Sequence, residues 1–243
     1  GVNALKIFGA SGVISLAMQR SYEYRPQQSD MAEAVAKALA AKTHLIVEAG
    51  TGVGKSLAYL IPVLLGVREE NCRAVVSTYR KTLQQQLVEK DLPFVTRVFG
   101  DFRYALCVGG ENYLCLRRFD QLRTADLYEQ NEVEPLNRLF AWSTMTRTGL
   151  RTELDVEPPA GLWTKACRQA DLCYGRDCSY HRDCFYMKAK QVEQQSQVLV
   201  ANHHLFFADM ATGGNVLPQY GAVVFDEAHQ VEDVATDYLG IEV

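Results

Sequence analysis

Residues 49–56 read AGTGVGKS, a glycine-rich run closed by a lysine and a hydroxyl. Glycines at 50, 52 and 54 allow a tight loop whose amides point inward at a phosphate, and a following helix N-terminus adds a favourable dipole. Ala49 stands where the usual pattern has its first glycine, and Thr51 and Val53 fill the variable positions. In this pattern Lys55 reaches the outer phosphates and the Ser56 hydroxyl ligates Mg2+. Taken alone, the run could be a strand–helix turn that merely carries Lys-Ser. Its place after an apolar strand and before an apolar helix favours the phosphate loop. The second chemical feature is VVFDEAH at 223–229, an apolar strand ending in two carboxylates. A strand ending in Asp-Glu is often only a solvated strand end. Beside a phosphate loop, Asp226 is placed to hold the magnesium through water and Glu227 to polarise the attacking water. Together the two motifs imply ATP hydrolysis.

The third feature is CYGRDCSYHRDC, Cys173 to Cys184, which holds three of the seven cysteines; Cys115 stands apart upstream. The odd count argues against a pure disulfide framework. No basic front end or cleavage pattern marks the first residues as an export signal, so a reducing cytoplasm is expected and disulfides are disfavoured. Zinc sites favour paired close spacings, whereas three clustered cysteines and a distant fourth also suit an iron–sulfur site. Spacing alone leaves these two open. Cys167 lies six residues before Cys173 and competes with it for the site. Cys72 and Cys107 read as buried apolar fillers.

The elements that must position these groups follow from the apolar pattern. HLIVEA (44–49), RAVVST (73–78), YALCVG (104–109), QVLVAN (197–202) and GAVVFD (221–226) are short continuous apolar runs, as in buried parallel strands. Helices are expected over 29–42, capped by Ser29 or Asp30, over SLAYLIPVLLGV and over RKTLQQQLVEK. This alternation predicts a doubly wound α/β sheet. It breaks from about Glu111 to Gln195, a stretch without a convincing buried strand that holds five cysteines and both tryptophans. That stretch is expected to be a largely helical insertion. His203 and His204, adjacent on the expected strand, would face opposite ways and so could not share an ion.

Composition is that of a soluble globular chain: 243 residues, 48% apolar and 22% charged. No apolar run reaches the roughly 18 residues of a membrane span. A net charge of -4 weakens wholesale nucleic-acid coating but leaves room for a local basic groove.

Beyond the two ATPase motifs, YEYRPQQ (22–28), STYRKTLQQQLVEKDLP (77–93), ENYLC (111–115), CYGRDCSYHRDCFYMKAK (173–190), ANHHLFFADM (201–210) and FDEAHQVED (225–233) follow in order. This succession resembles the iron–sulfur branch of superfamily 2 helicases, the bacterial DinG/YoaA group related to XPD. The resemblance implies a RecA-like P-loop NTPase interrupted by an iron–sulfur domain. Residues 1–110 and 196–243 would form helicase domain 1, and 111–195 the insertion. It implies adenine contacts by Arg25 and Gln28, a DNA grip by the 77–93 stretch, and a 4Fe–4S cluster on Cys115, Cys173, Cys178 and Cys184. His229 would couple nucleotide state to DNA. ATP, Mg2+ and the cluster are the cofactors implied, and single-stranded or forked DNA the partner. Translocation would run 5′ to 3′, with replication or repair proteins as further partners.

Two departures stand out. VGGE occupies a place where the family often carries a basic residue, and the sequence ends at Val243, soon after DEAH. A second RecA-like domain is therefore expected to be absent, leaving the front part of a helicase or a truncated gene. The competing expectation is a nucleotide- or DNA-binding module without motor activity. A nuclease is disfavoured, since no acidic nuclease cluster precedes the phosphate loop.

Overall fold

The computed structural model describes residues 3–50 and 52–240. The chain divides into two compact units, one of Gly1–Cys107 with Gln195–Val243 and one of Val108–Gln194.

In the first unit, two short helices, α1 (Ala4–Phe8) and α2 (Val13–Met18), precede α3 (Pro26–Ala41). α3 starts three residues before its expected cap. Pro26 sits at its first position, where a missing amide costs nothing. α4 (Lys55–Glu70) follows, and its interior Pro62 is buried with the rest of its apolar face. Then come β1 (Ala74–Thr78), α5 (Lys81–Gln86), a π turn at Leu87–Asp91, α6 (Leu92–Phe99) and β2 (Tyr104–Leu106).

The second unit contributes α7 (Leu116–Thr124), α8 (Val133–Ser143), α9 (Ala160–Ala166) and α10 (Phe185–Gln195). The first unit resumes with β3 (Val198–Asn202), α11 (His203–Ala211), β4 (Ala222–Phe225) and α12 (Val231–Leu239).

The sheet is all parallel in the order β2–β3–β1–β4. Side chains alternate across it. Val76, Val198 and Val200 pack with Leu60, Ile61 and Leu64 of α4, while Val75, Leu199 and Ala201 pack with Phe206 and Phe207 of α11. A sheet covered on both faces needs continuous apolar strands, which is why these runs show no polar alternation. The result is an α/β fold of the RecA-like kind.

Four of the five expected strands form. The fifth, 44–49, has no ladder partner: the segment is irregular and Ile46 is 98% exposed. An apolar run becomes a strand only where another strand takes its amides and carbonyls, and this segment pairs with neither open edge of the sheet, β2 or β4. His203 and His204 are also displaced from the expected strand, because Asn202 caps a helix there by accepting from the Leu205 amide at 2.7 Å.

The second unit is built round Tyr113, Phe119, Leu122, Leu139, Leu162 and Trp163. Its only extended pairings among the described residues are single bridges, Tyr113 with Leu150 and Leu114 with Cys167. Among the described residues, no helix is long and apolar enough to cross a membrane.

Candidate functional site

In the first unit the site begins where the loop of residues 49–54 feeds α4. Gly52 and Gly54 both have φ of +80°, the left-handed region that glycine enters without strain. Gly54 is the N-cap of α4, so Lys55 and Ser56 form its first turn. Two residues from the start of α3 brace the loop. The Arg25 guanidinium donates to the Gly52 carbonyl, and Gln28 Nε2 donates to the Gly54 carbonyl at 3.0 Å. A side chain at 54 would displace the Gln28 amide from this bond, and the positive φ there favours glycine in its own right. Nothing lies within 4 Å of where a side chain at Gly50 or Gly52 would project, leaving that face of the loop open. Thr51 lies outside the described residues.

The carboxylate pair stands at the tip of β4. The Asp226 amide donates to the Ser77 carbonyl at 2.9 Å, extending the β1–β4 ladder by one bond. Asp226 is joined to the phosphate-loop helix by Tyr59, whose hydroxyl donates to Oδ2 at 2.9 Å. The other oxygen, Oδ1, accepts from the Glu227 amide at 2.9 Å. Burial pushes the Tyr59 hydroxyl well above its ordinary range, and the Asp226 charge adds to this, so it stays a proton donor. Tyr59, one turn beyond Ser56 on α4, thus links the phosphate-loop helix to the strand tip. Glu227 faces elsewhere: the Arg80 amide donates to Oε2 at 3.3 Å and Arg80 Nε approaches Oε1 at 3.2 Å. His229 is exposed on the short 3-10 turn that follows.

His203 is fully buried at the tip of β3, with Nδ1 2.7 Å from the Ser77 hydroxyl. Its ring lies against Tyr79 and Phe225. Burial lowers its pKa from the usual histidine value, so it sits neutral.

Sequence reasoning did not find Tyr59, Arg80 or the helical setting of His203. The only available signal for Tyr59 was its place one helical turn beyond Lys55 and Ser56.

In the second unit, Cys115, Cys173, Cys178 and Cys184 line one cavity with Leu114 and Met187. Cys115 caps α7, and Cys184 immediately precedes α10. Between them the loop is folded by backbone bonds, Cys178 to the Gly175 carbonyl at 3.4 Å and His181 to the Cys178 carbonyl at 3.0 Å. His181 Nδ1 also meets the Gly175 carbonyl at 3.0 Å. Arg117 ties the loop to α7, donating to the Leu172 carbonyl at 2.6 Å and lying 4.1 Å from the Tyr174 ring centre. Arg118 is committed to the Cys167 and Thr164 carbonyls. Burial raises the Cys184 thiol, with further upward pressure from Cys115 and Cys173 nearby.

Cys167 is buried in the apolar cluster instead, its thiol directed at the Thr164 carbonyl. Among the described residues, no three His, Cys, Asp or Glu side chains close on a point as they would round one ion.

A glycine loop braced at the start of one helix and a carboxylate pair at the tip of a parallel strand, joined by Tyr59, define a P-loop nucleotide-binding type of domain. The DEAD/DEAH box helicase family matches residues 26–127. Along nearly the whole chain, the similarity narrows. The chain is 35% identical to the ATP-dependent DNA helicase YoaA of Haemophilus influenzae over 241 residues, covering 96% of this chain and 37% of that protein. It is 37% identical to YoaA of Escherichia coli over the same shares. It is 36% identical to the 3'-5' exonuclease DinG of Bacillus subtilis, over 90% of this chain and 24% of that protein. Along most of its length the chain is similar to the DinG/YoaA-type helicases, and it spans only about a quarter to two fifths of these relatives' length.

Proposed function

We propose that the chain is the nucleotide-hydrolysing front part of an ATP-dependent helicase that moves 5′ to 3′ on single-stranded or forked DNA during repair or replication. The observation that carries this reading is the Tyr59–Asp226 bond, which joins the phosphate-loop helix to the DEAH strand tip. Lys55 would neutralise the outer phosphates, and Ser56 and Asp226 would share the magnesium, which stabilises the charge that develops on the phosphates. Tyr59 fixes the carboxylate of Asp226 so that it need not reorganise when nucleotide enters. Glu227 would orient and polarise the attacking water. Arg25 and Gln28, which already brace the loop, would also meet the adenine. His229, exposed beside the carboxylates, would relay nucleotide state to the DNA.

The four cysteines round the shared cavity would hold a 4Fe–4S cluster as thiolates, which fix and order the surrounding loop. The cavity they line, with Cys167 packed elsewhere, supports Cys173 over Cys167 as the fourth ligand.

ATP turnover by the protein, with and without single-stranded DNA, tests the motor. DNA should stimulate turnover, and Lys55→Ala should lower it by about 100-fold or more. Intact DNA binding without any stimulation would instead favour a binding module. Iron and sulfide analysis after anaerobic purification tests the cluster. Zinc in place of iron, or full iron in Cys184→Ser, would overturn it, and Cys167→Ser should keep its iron.

A further inference from the structure

The two neighbouring carboxylates are held by different elements. Asp226 is bonded to the phosphate-loop helix through Tyr59, whereas Glu227 is bonded to Arg80 at the tip of β1 through both the backbone amide and Nε. Glu227 is the more constrained. Its φ of +58° is a left-handed conformation that strains a non-glycine residue, and its side chain is only 16% exposed. Its partner is the reverse: Arg80 is 69% exposed. Tyr79 and Lys81, on either side of it, are exposed as well.

An aromatic ring between a strand tip and two cations suits a nucleic-acid strand, with base stacking on the ring and phosphates on the cations. A phosphate that takes the Arg80 guanidinium side-on takes the Nε–H now facing Glu227, and charge-assisted contacts of this kind are the stronger for being bidentate.

We propose that Arg80 is a nucleic-acid-sensitive latch on Glu227. Without a strand it holds the carboxylate at the tip of β1. A strand phosphate that draws the guanidinium away frees the carboxylate to turn toward the nucleotide. Arg80 is thus a positioning residue that makes hydrolysis wait for DNA. The inference rests on the function proposed above for the role of Glu227.

Two measurements on the protein as expressed from its gene decide it. In the first, ATP turnover is compared with and without single-stranded DNA. Arg80→Ala should raise DNA-free turnover about 3- to 5-fold, the scale of one partly exposed ion pair, and shrink the stimulation by DNA accordingly. Unchanged or lower DNA-free turnover overturns the latch. The second measurement needs no hydrolysis: equilibrium binding of a fluorescent oligothymidylate at fixed salt. Glu227→Gln should bind about 3- to 5-fold tighter than wild type because the guanidinium is released. That gain should vanish in the Arg80→Ala background. Equal affinities of wild type and Glu227→Gln, or no binding by the wild type, also overturn the latch. A wild type that binds DNA yet never turns over ATP refutes the proposed function, while the binding cycle still decides the latch.

Discussion

The sheet unit and the cysteine unit hold their chemical groups by opposite means. In the first, Asp226, Glu227, Ser77 and His203 stand at the tips of three adjacent parallel strands, which register to one another through main-chain bonds. Their side chains then bond across the tips, as in the 2.7 Å contact of Ser77 with His203. In the second, Cys173 and Cys178 are borne by a loop of short turns, and Cys115 and Cys184 by the edges of helices. What fixes that loop is a set of main-chain turns and arginine contacts to carbonyls. A strand tip is placed by the whole sheet, so its geometry is ready before any ligand arrives. A loop of thiols borrows part of its order from whatever the thiols bind.

The largest test of this contrast is removal of the proposed cluster. Hydrogen exchange should then speed up through residues 108–194 and stay slow in β1, β3 and α4. Equal loss of protection in both units would erase the contrast. The reverse perturbation is Leu60→Ala, which empties a fully buried position under the sheet. It should cost about 2–5 kcal/mol in denaturant unfolding and leave bound iron per folded molecule unchanged.

A smaller effect is expected from Tyr59→Phe, which removes one hydrogen bond to a buried-side carboxylate. A loss of about 1–2 kcal/mol should appear as a raised Mg2+ requirement in ATP turnover, with folding intact. An unaltered magnesium dependence would show that Asp226 needs no such brace.

The smallest is the pH response of His203. Its folded pKa lies below the ordinary value, so the unfolded chain takes up the proton first as pH falls. The stabilisation is complete above the unfolded pKa, about 6.5, and is lost progressively below it. Wild type should therefore lose more stability between pH 7.5 and 5.5 than His203→Asn does.

Local signals carried much of this into the sequence. The apolar runs that became β1, β3 and β4 are continuous because both faces are covered, and the glycine pattern at 50–54 marks a loop wherever it occurs. The failures are non-local. HLIVEA has the composition of a strand, but pairing depends on a neighbour that composition does not name. Tyr59 meets Asp226 across 167 residues, and Arg80 meets Glu227 across 147. Neither pair shares a helix face or a hairpin, so no periodicity announces it. The start of α11 was legible by contrast, since Asn202 before HHLFF is an ordinary cap; the strand pattern of VLVAN simply ran into it.

The placement of β1 in the sheet has a consequence for how the chain is made. Its two flanking strands both come from the last fifth of the sequence, and Arg73 at its base closes onto the Ser196 carbonyl, 123 residues downstream. During synthesis β1 leaves the ribosome with both edges bare and waits while the whole of residues 108–194 is made. The cysteine unit, local in sequence, can finish folding in that interval, so the sheet is the slow, late event and its naked edge strand the point of greatest aggregation risk.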